Sequence, residues 1–285
     1  MEKQNIQSRR IISLLLSFFI ALFFGSATYL VAGYFGFFNE SVIYNSLESS
    51  DYYPKALEYY STSTQTLTVL YGVDDSVLQD TVNSVKFKID VDNCIHTSFY
   101  GKKCTIDTES MESKISANMT AFMVAEDITL TTEVQTGIDE FTKMTLDNYA
   151  KSVNIPYFSY YVDVKNKADR LILAGSLGLV LIGGFLISLI LGMYKRKLKA
   201  LRYIIYSTIT TGLLCIIVPV YLLWTKFYER VQITPNYVSQ LISSLIFRGL
   251  WVFVWFGFGW LILSAILLYL KQKWMQQNEK HLESK

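Results

Sequence analysis

Four apolar runs, none with an Asp, Glu, Lys, Arg or His in its interior, restrict what this chain can fold into: Ile11–Phe38, Leu171–Tyr194, Tyr203–Trp224 and Leu250–Leu270. A hydrocarbon core is crossed by about 20 apolar residues of helix, and each run is long enough. The fold class predicted is therefore an all-α integral membrane protein with four transmembrane helices. A long acidic stretch between the first and second run is predicted to form a mainly helical domain outside the bilayer. The 51% hydrophobic content and mean hydropathy of +0.28 are what four spans require.

The net charge of +2 hides a segregation. The N-terminus, the short turn after the second run and the C-terminal tail together hold 12 basic residues against three acidic ones, whereas Asn39–Arg170 holds 11 basic and 20 acidic. Basic residues close to span ends are retained on the cytoplasmic side, so Arg9, Arg10, Lys195, Arg196, Lys197 and Lys199 are the predicted topology determinants. The organisation that follows is a cytoplasmic N-terminus (1–10), spans at 11–38, 171–194, 203–224 and 250–270, and an extracellular acidic domain (39–170). A basic cytoplasmic turn (195–202), an extracellular loop with an interfacial helix (225–249) and a cytoplasmic tail (271–285) complete it. The first run continues well past the h-region of a signal peptide and is read as a retained signal-anchor.

Within 39–170 the helix signals are local. Asp74 or Asp75 is placed to cap a helix carrying Val77, Leu78, Thr81 and Val82. Phe87, Val91, Cys94/Ile95 and Ser98/Phe99 recur at helical spacing up to Gly101, although Val85, Phe87, Ile89 and Val91 also alternate as a strand would; helix is the reading preferred. Met111, Ile115, Met119 and Phe122 form a helical stripe. Thr132 with Gln135 forms a capping-box pair ahead of Val134, Ile138, Phe141, Thr145 and Tyr149. Tyr52–Tyr60 reads as a helix with Pro54 in its first turn, and Ser61–Thr68 as a loop or weak helix. Cys94 and Cys104 are candidates for a disulfide if the compartment is oxidising, or for two free thiols if it is not. Cys215 lies inside the third run and reads as packing.

Small residues recur on one face of two spans, Thr28, Ala32 and Gly36 on the first and Gly184, Ser188 and Gly192 on the second. Such faces let helix backbones approach closely, and they predict that these two spans pair with each other or with a partner. Thr234-Pro235 predicts a helix start running toward the fourth run, with Tyr237, Leu241, Ile242 and Leu245 at the outer interface. Trp251 suits an interfacial belt, and Trp255 and Trp260 are expected to pack against other helices.

Motifs for catalysis are missing from the sequence. It has no His-Glu-x-x-His, Gly-x-Ser-x-Gly, P-loop or dinucleotide-binding glycine set, and its two histidines, His96 and His281, are far apart in the chain. Asp90, Asp92 and Asn93 offer calcium-type oxygens without the Gly and distal Glu of an EF-hand loop, so no metal and no cofactor is expected. The partners expected are the lipid bilayer and a membrane or envelope protein, not nucleic acid.

The order of one span, a large external domain and three further spans resembles the four-span permeases of bacterial cell-division and macrolide-exporter ABC systems. That resemblance is one of topology and implies a separate cytoplasmic ATPase as partner. The turn KRKLKALR (195–202) lacks the acidic cytoplasmic contact segment associated with that family, so no residue role carries over. More generally the layout resembles uncharacterised four-span surface proteins of low-GC Gram-positive bacteria, which implies no activity. The function expected is a non-enzymatic membrane protein whose external helical domain binds a protein or envelope component. A permease-like subunit and an oligomeric channel, with Thr208, Thr210 and Thr211 as a polar hint, are the alternatives.

Overall fold

The computed structural model describes the fold of residues 2–194, 197–230 and 233–283, with side chains for 7–194, 197–230 and 233–277. Among these residues the chain forms nine α-helices and no strand. They are α1 Glu2–Phe37, α2 Glu40–Ser49, α3 Tyr52–Tyr71, α4 Ser84–Phe99, α5 Glu109–Ala125, α6 Thr132–Val153, α7 Phe158–Met193, α8 Lys197–Trp224 and α9 Asn236–Glu283. Two compact units form: an apolar one of Met1–Ile43, Asn166–Val231 and Ile242–Lys285, and a polar one of Tyr44–Lys165 and Gln232–Leu241. Among the described residues four helices are long and apolar enough to cross a membrane, with their apolar stretches in α1, α7, α8 and α9.

Direction in the apolar unit can be read from pairs of contacts. Thr211 Oγ1 donates to the Ala21 carbonyl at 3.3 Å and Tyr29 Oη to that of Leu214 at 2.9 Å, so α8 runs parallel to α1. Trp260 Nε1 donates to Thr28 Oγ1 at 2.9 Å, while Gly36 meets Gly249, so α9 runs antiparallel to α1. On α7, Gly183 faces Phe24, Ile190 packs with Ile20, and Tyr194 Oη lies 3.0 Å from Ser13 Oγ, again antiparallel.

Close backbone approach occurs at two glycine pairs on α9. A Cβ on Gly36 would stand 2.8 Å from the Gly249 carbonyl oxygen, and one on Gly212 would stand 3.0 Å from that of Gly257. Thr28 and Ala32 are buried on the same α1 face as Gly36. The small-residue face of the first span therefore packs, and its glycine partner is α9. On α7, a Cβ at Gly184 or Gly192 would meet nothing within 4 Å and Ser188 is exposed, whereas a Cβ on neighbouring Gly183 would come within 3.0 Å of the Phe24 ring. One residue is about 100° around a helix, so the contacted face of α7 is offset from the Gly184 stripe. Only 11% of its most apolar window is buried, against 44% for α8.

In the polar unit, α4 resolves the strand-or-helix ambiguity as helix. Phe87, Val91, Cys94 and Ile95 are buried, while the alternation-only positions Val85 and Ile89 face outward. The Asn83 side chain caps it by accepting from the Lys86 N–H at 2.7 Å. Gly101, at φ +73°, follows its end as expected.

Several local expectations are corrected. Residues 61–68 are helix, not loop, and continue α3: Thr62, Thr64, Thr66 and Thr68 each return their hydroxyl to a carbonyl three or four residues back, and Thr64 and Thr68 are buried. The helix expected after Asp74 is a single 3-10 turn, Asp75–Leu78, because Gln79 is extended and Asp80 takes φ +57°. The cap of α6 is Thr131, one residue earlier than expected, and Gln135 reaches Asp139 instead of closing a capping box. α9 starts after Pro235, but Tyr237, Val238 and Leu241 are buried in the polar unit, with Tyr237 between Tyr52 and Tyr59. Trp255 is exposed rather than packed against another helix.

The two glycine sets respond differently to bulk. Gly36→Leu forces side-chain atoms into the α9 backbone and should lower stability by about 1–3 kcal/mol, whereas Gly184→Leu should stay within about 0.5 kcal/mol of wild type. Unfolding midpoints of the two variants in one detergent test this; equal losses would refute the packing assignment.

Candidate functional site

The polar unit has two dissimilar ends. α3 and α6 run antiparallel, with Tyr60 against Tyr149 and Tyr71 against Phe141, each 5.5 Å between ring centroids. The chain enters and leaves at the Tyr52 end. There Tyr44 Oη donates to the Asp92 carbonyl, Tyr237 lies 5.2 Å from Tyr52, and Lys165 Nζ sits 4.6 Å from the Phe99 ring. Toward the opposite end α3 stops level with Phe141 and, further along, α5 turns into α6; large apolar side chains stand in the open at both places. Val69 is 81% exposed, Leu70 72% and Val124 65%, and Ile128 and Leu130 are also exposed. Their helices bury other faces: α3 buries Tyr60, Thr64 and Thr68, and α5 buries Met111, Ile115 and Met119. Glu126, Asp127 and Glu133 are exposed beside them.

A second feature is a cleft of about 590 Å³ between α5, α6 and the segment before α5. Glu112, Asp139 and Asp147 contribute carboxylates to its lining and Lys143 one ammonium, so its field is negative and suits a cation or a basic side chain. Cys104 lies on its wall and is joined to Cys94 of α4 by a disulfide, with a Cα–Cα distance of 4.8 Å. Closing a loop this short stabilises a fold by about 2–3 kcal/mol in the chain-entropy account.

The calcium-type oxygens of α4 are engaged within the protein. Asp90 accepts from the Tyr149 hydroxyl and pairs with Lys86 Nζ at 3.1 Å, and Asp92 accepts from Tyr53 at 2.6 Å. Burial first, then the bond to the Asp90 carboxylate, pushes the Tyr149 phenol well above its ordinary value; burial and Asp92 do the same to Tyr53. His96 is exposed with its ring 4.9 Å from Tyr100, and the His281 side chain lies outside the described residues. Among the described residues no three His, Cys, Asp or Glu side chains group closely enough to hold a metal ion. The buried hydroxyls of Tyr52, Tyr60, Thr142 and Thr145 lack a protein partner among the described residues.

In the apolar unit, Thr208 and Thr211 turn inward: Thr208 Oγ1 accepts from Ser264 at 2.8 Å and Thr211 bonds to Ala21 and Ser207. Arg9, Arg10, Lys197 and Lys199 are exposed at one end of this unit, and Lys195 and Arg196 lie outside the described residues. Cys215 is buried and unpaired. The exposed tip of the polar unit was missed by sequence reasoning. Its signal was present in Val69 and Leu70, which fall off the buried stripe of α3. No family model, curated protein or solved structure matches the chain.

Tyrosine hydroxyls in this unit divide by partner. Tyr149→Phe removes a bond to a charged acceptor and should destabilise by about 2 kcal/mol, whereas Tyr60→Phe removes an unpartnered buried group and should stabilise by about 1 kcal/mol. With folded-state phenol values raised above 10.0, the folded state holds protons that the unfolded state releases, so wild-type stability should fall as pH rises above 10.0. Denaturant titrations of both variants at neutral and alkaline pH check the signs.

Proposed function

We propose that this protein is a non-enzymatic multi-pass membrane protein whose polar helical unit lies outside the cell and binds a protein or cell-envelope partner through its apolar tip. The observation that carries the reading is the exposure of Val124, Ile128 and Leu130, close together in the chain where α5 turns into α6, with Val69 and Leu70 also exposed near the end of α3, all away from the points where the chain enters and leaves. Exposed apolar side chains concentrated at one place and rimmed by charge mark interaction sites more often than scattered single residues do. The acidic rim of Glu126, Asp127 and Glu133 matches the anatomy of an apolar interface centre with a polar margin. The role is that of an accessory or regulatory subunit, with the four apolar helices as anchor.

The orientation rests on charge. Arg9, Arg10 and the basic start of α8 share one end of the apolar unit, through the Ser13–Tyr194 contact, and basic span ends stay in the cytoplasm. A membrane-impermeant maleimide should label Lys151→Cys in intact cells and Lys199→Cys only after permeabilisation. The reverse pattern would overturn the topology.

For the tip, a photo-reactive residue at Val69, Leu70 or Val124 should give one discrete cross-linked species in intact cells, absent when the probe sits at Lys151. Adding Asp at the other two tip positions should reduce that species at least about tenfold, the effect of losing roughly 1.4 kcal/mol of binding. Equal cross-linking from Lys151, or no effect of the Asp substitutions, would sink the assignment.

A further inference from the structure

The cations that orient the apolar unit also form a feature that tip binding does not use. At the end shared by the start of α1, the end of α7 and the start of α8, five exposed cations stand together: Arg9, Arg10, Lys197, Lys199 and Arg202. No Asp or Glu occurs in 3–39, 170–228 or 230–278, so the local charge has no carboxylate to balance it within those stretches. None of Arg9, Arg10, Lys199 and Arg202 makes an ion pair among the described residues.

Two of these cations stand beside one set of hydroxyls. The Tyr194 and Tyr203 rings stack at 5.8 Å, and Ser13 Oγ lies 3.0 Å from Tyr194 Oη. Arg10 stands one turn before Ser13 on the same side of α1, and Arg202 is the neighbour of Tyr203 on α8. Arg202 Nε donates to Tyr206 Oη, and its guanidinium sits 5.4 Å from that ring, which orients the remaining guanidinium donors. Lys197 is occupied otherwise, donating to the Leu191 carbonyl at the end of α7.

Immediately beyond Arg10 the α1 surface turns apolar and stays open, with Ile11, Ile12, Leu14, Leu15 and Phe18 all exposed. Guanidinia without an ion pair among the described residues, set against an open apolar helix face, match one kind of ligand, an anion carrying its own hydrocarbon. We propose that this end of the apolar unit seats the phosphate of an anionic phospholipid, held by Arg10 and Arg202 beside the stacked Tyr194 and Tyr203 rings, with the acyl chains along α1. Guanidinium groups bind phosphate oxygens bidentately, which a lysine ammonium does not. Basic residues at the membrane surface each gain about 1 kcal/mol from anionic lipid, so charge alone attracts, and the two arginines add a defined seat.

The test uses the full-length protein purified in a neutral detergent, with unfolding midpoints measured after adding phosphatidylglycerol, phosphatidylcholine or inorganic phosphate. Near saturation phosphatidylglycerol should raise the midpoint by about 4 °C, with neither of the other two doing so. Arg10→Gln combined with Arg202→Gln should lose at least half of that shift, whereas Lys271→Gln combined with Lys273→Gln, in the tail, should keep it. If the double Gln variant fails to insert, Arg10→Lys with Arg202→Lys decides, since it keeps the charge and should still show a reduced shift. An undiminished shift in the Lys pair, or an equal response to phosphatidylcholine, overturns the site. An equal response to inorganic phosphate overturns the lipid as its source.

Discussion

In hydrocarbon a helix gains nothing by hiding an apolar face from lipid, so a bundle there is held by how closely its backbones can approach. That constraint explains the glycines of α9. Gly249 and Gly257 are two turns apart and oppose Gly36 of α1 and Gly212 of α8, each at backbone contact distance. Polar side chains add to the same seams. Trp260 reaches Thr28, Ser264 reaches Thr208, and Thr211 reaches the α1 backbone. An indole N–H or a hydroxyl left unpaired in lipid costs several kcal/mol, so these bonds fix register as well as adding attraction. α7 lacks a comparable backbone seam, and its most apolar window is the least buried of the four.

The polar unit works under the opposite rule. Water is the alternative environment, and its core is built from large aromatic and aliphatic side chains: Tyr52, Tyr149, Phe87 and Phe141 are fully buried. Tyrosine is an awkward core residue because its hydroxyl must be satisfied or its burial costs free energy. Here Tyr149 and Tyr53 find carboxylates on α4, which ties α3 and α6 to α4 by charge-assisted bonds, while Tyr52 and Tyr60 find none among the described residues. The threonines of α3 solve the same problem locally by bonding back along their own helix. That solution leaves them free to face either side.

This local back-bonding is also why residues 61–68 were hard to read. A Ser/Thr cluster has the composition of a loop, and the burial of Thr64 and Thr68 is what marks it as helix. The four apolar runs were legible because a helix-length stretch without a single charge suits few surroundings other than lipid, and α4 was legible because four-residue spacing outlasted the alternation. What a helix face meets was not legible. The Thr28–Ala32–Gly36 stripe is present in the sequence, but that it meets Gly249 depends on a residue more than 200 positions away. The Gly184 stripe looks equivalent on paper, yet the contacted glycine is its neighbour Gly183. Cap positions slipped by one residue at α6 for a related reason, since Thr131 and Thr132 are equally good acceptors and the turn before them decides.

Charge segregation and the exposed tip belong together. On the proposed function, the acidic rim opposes self-association through the apolar end, because two copies meeting tip to tip would bring Glu126, Asp127 and Glu133 of each into like-charge contact. A different protein with a basic margin around an apolar centre meets no such penalty and gains steering toward the same spot. On the proposed function, the rim would therefore select among occupants that the apolar residues alone would accept equally.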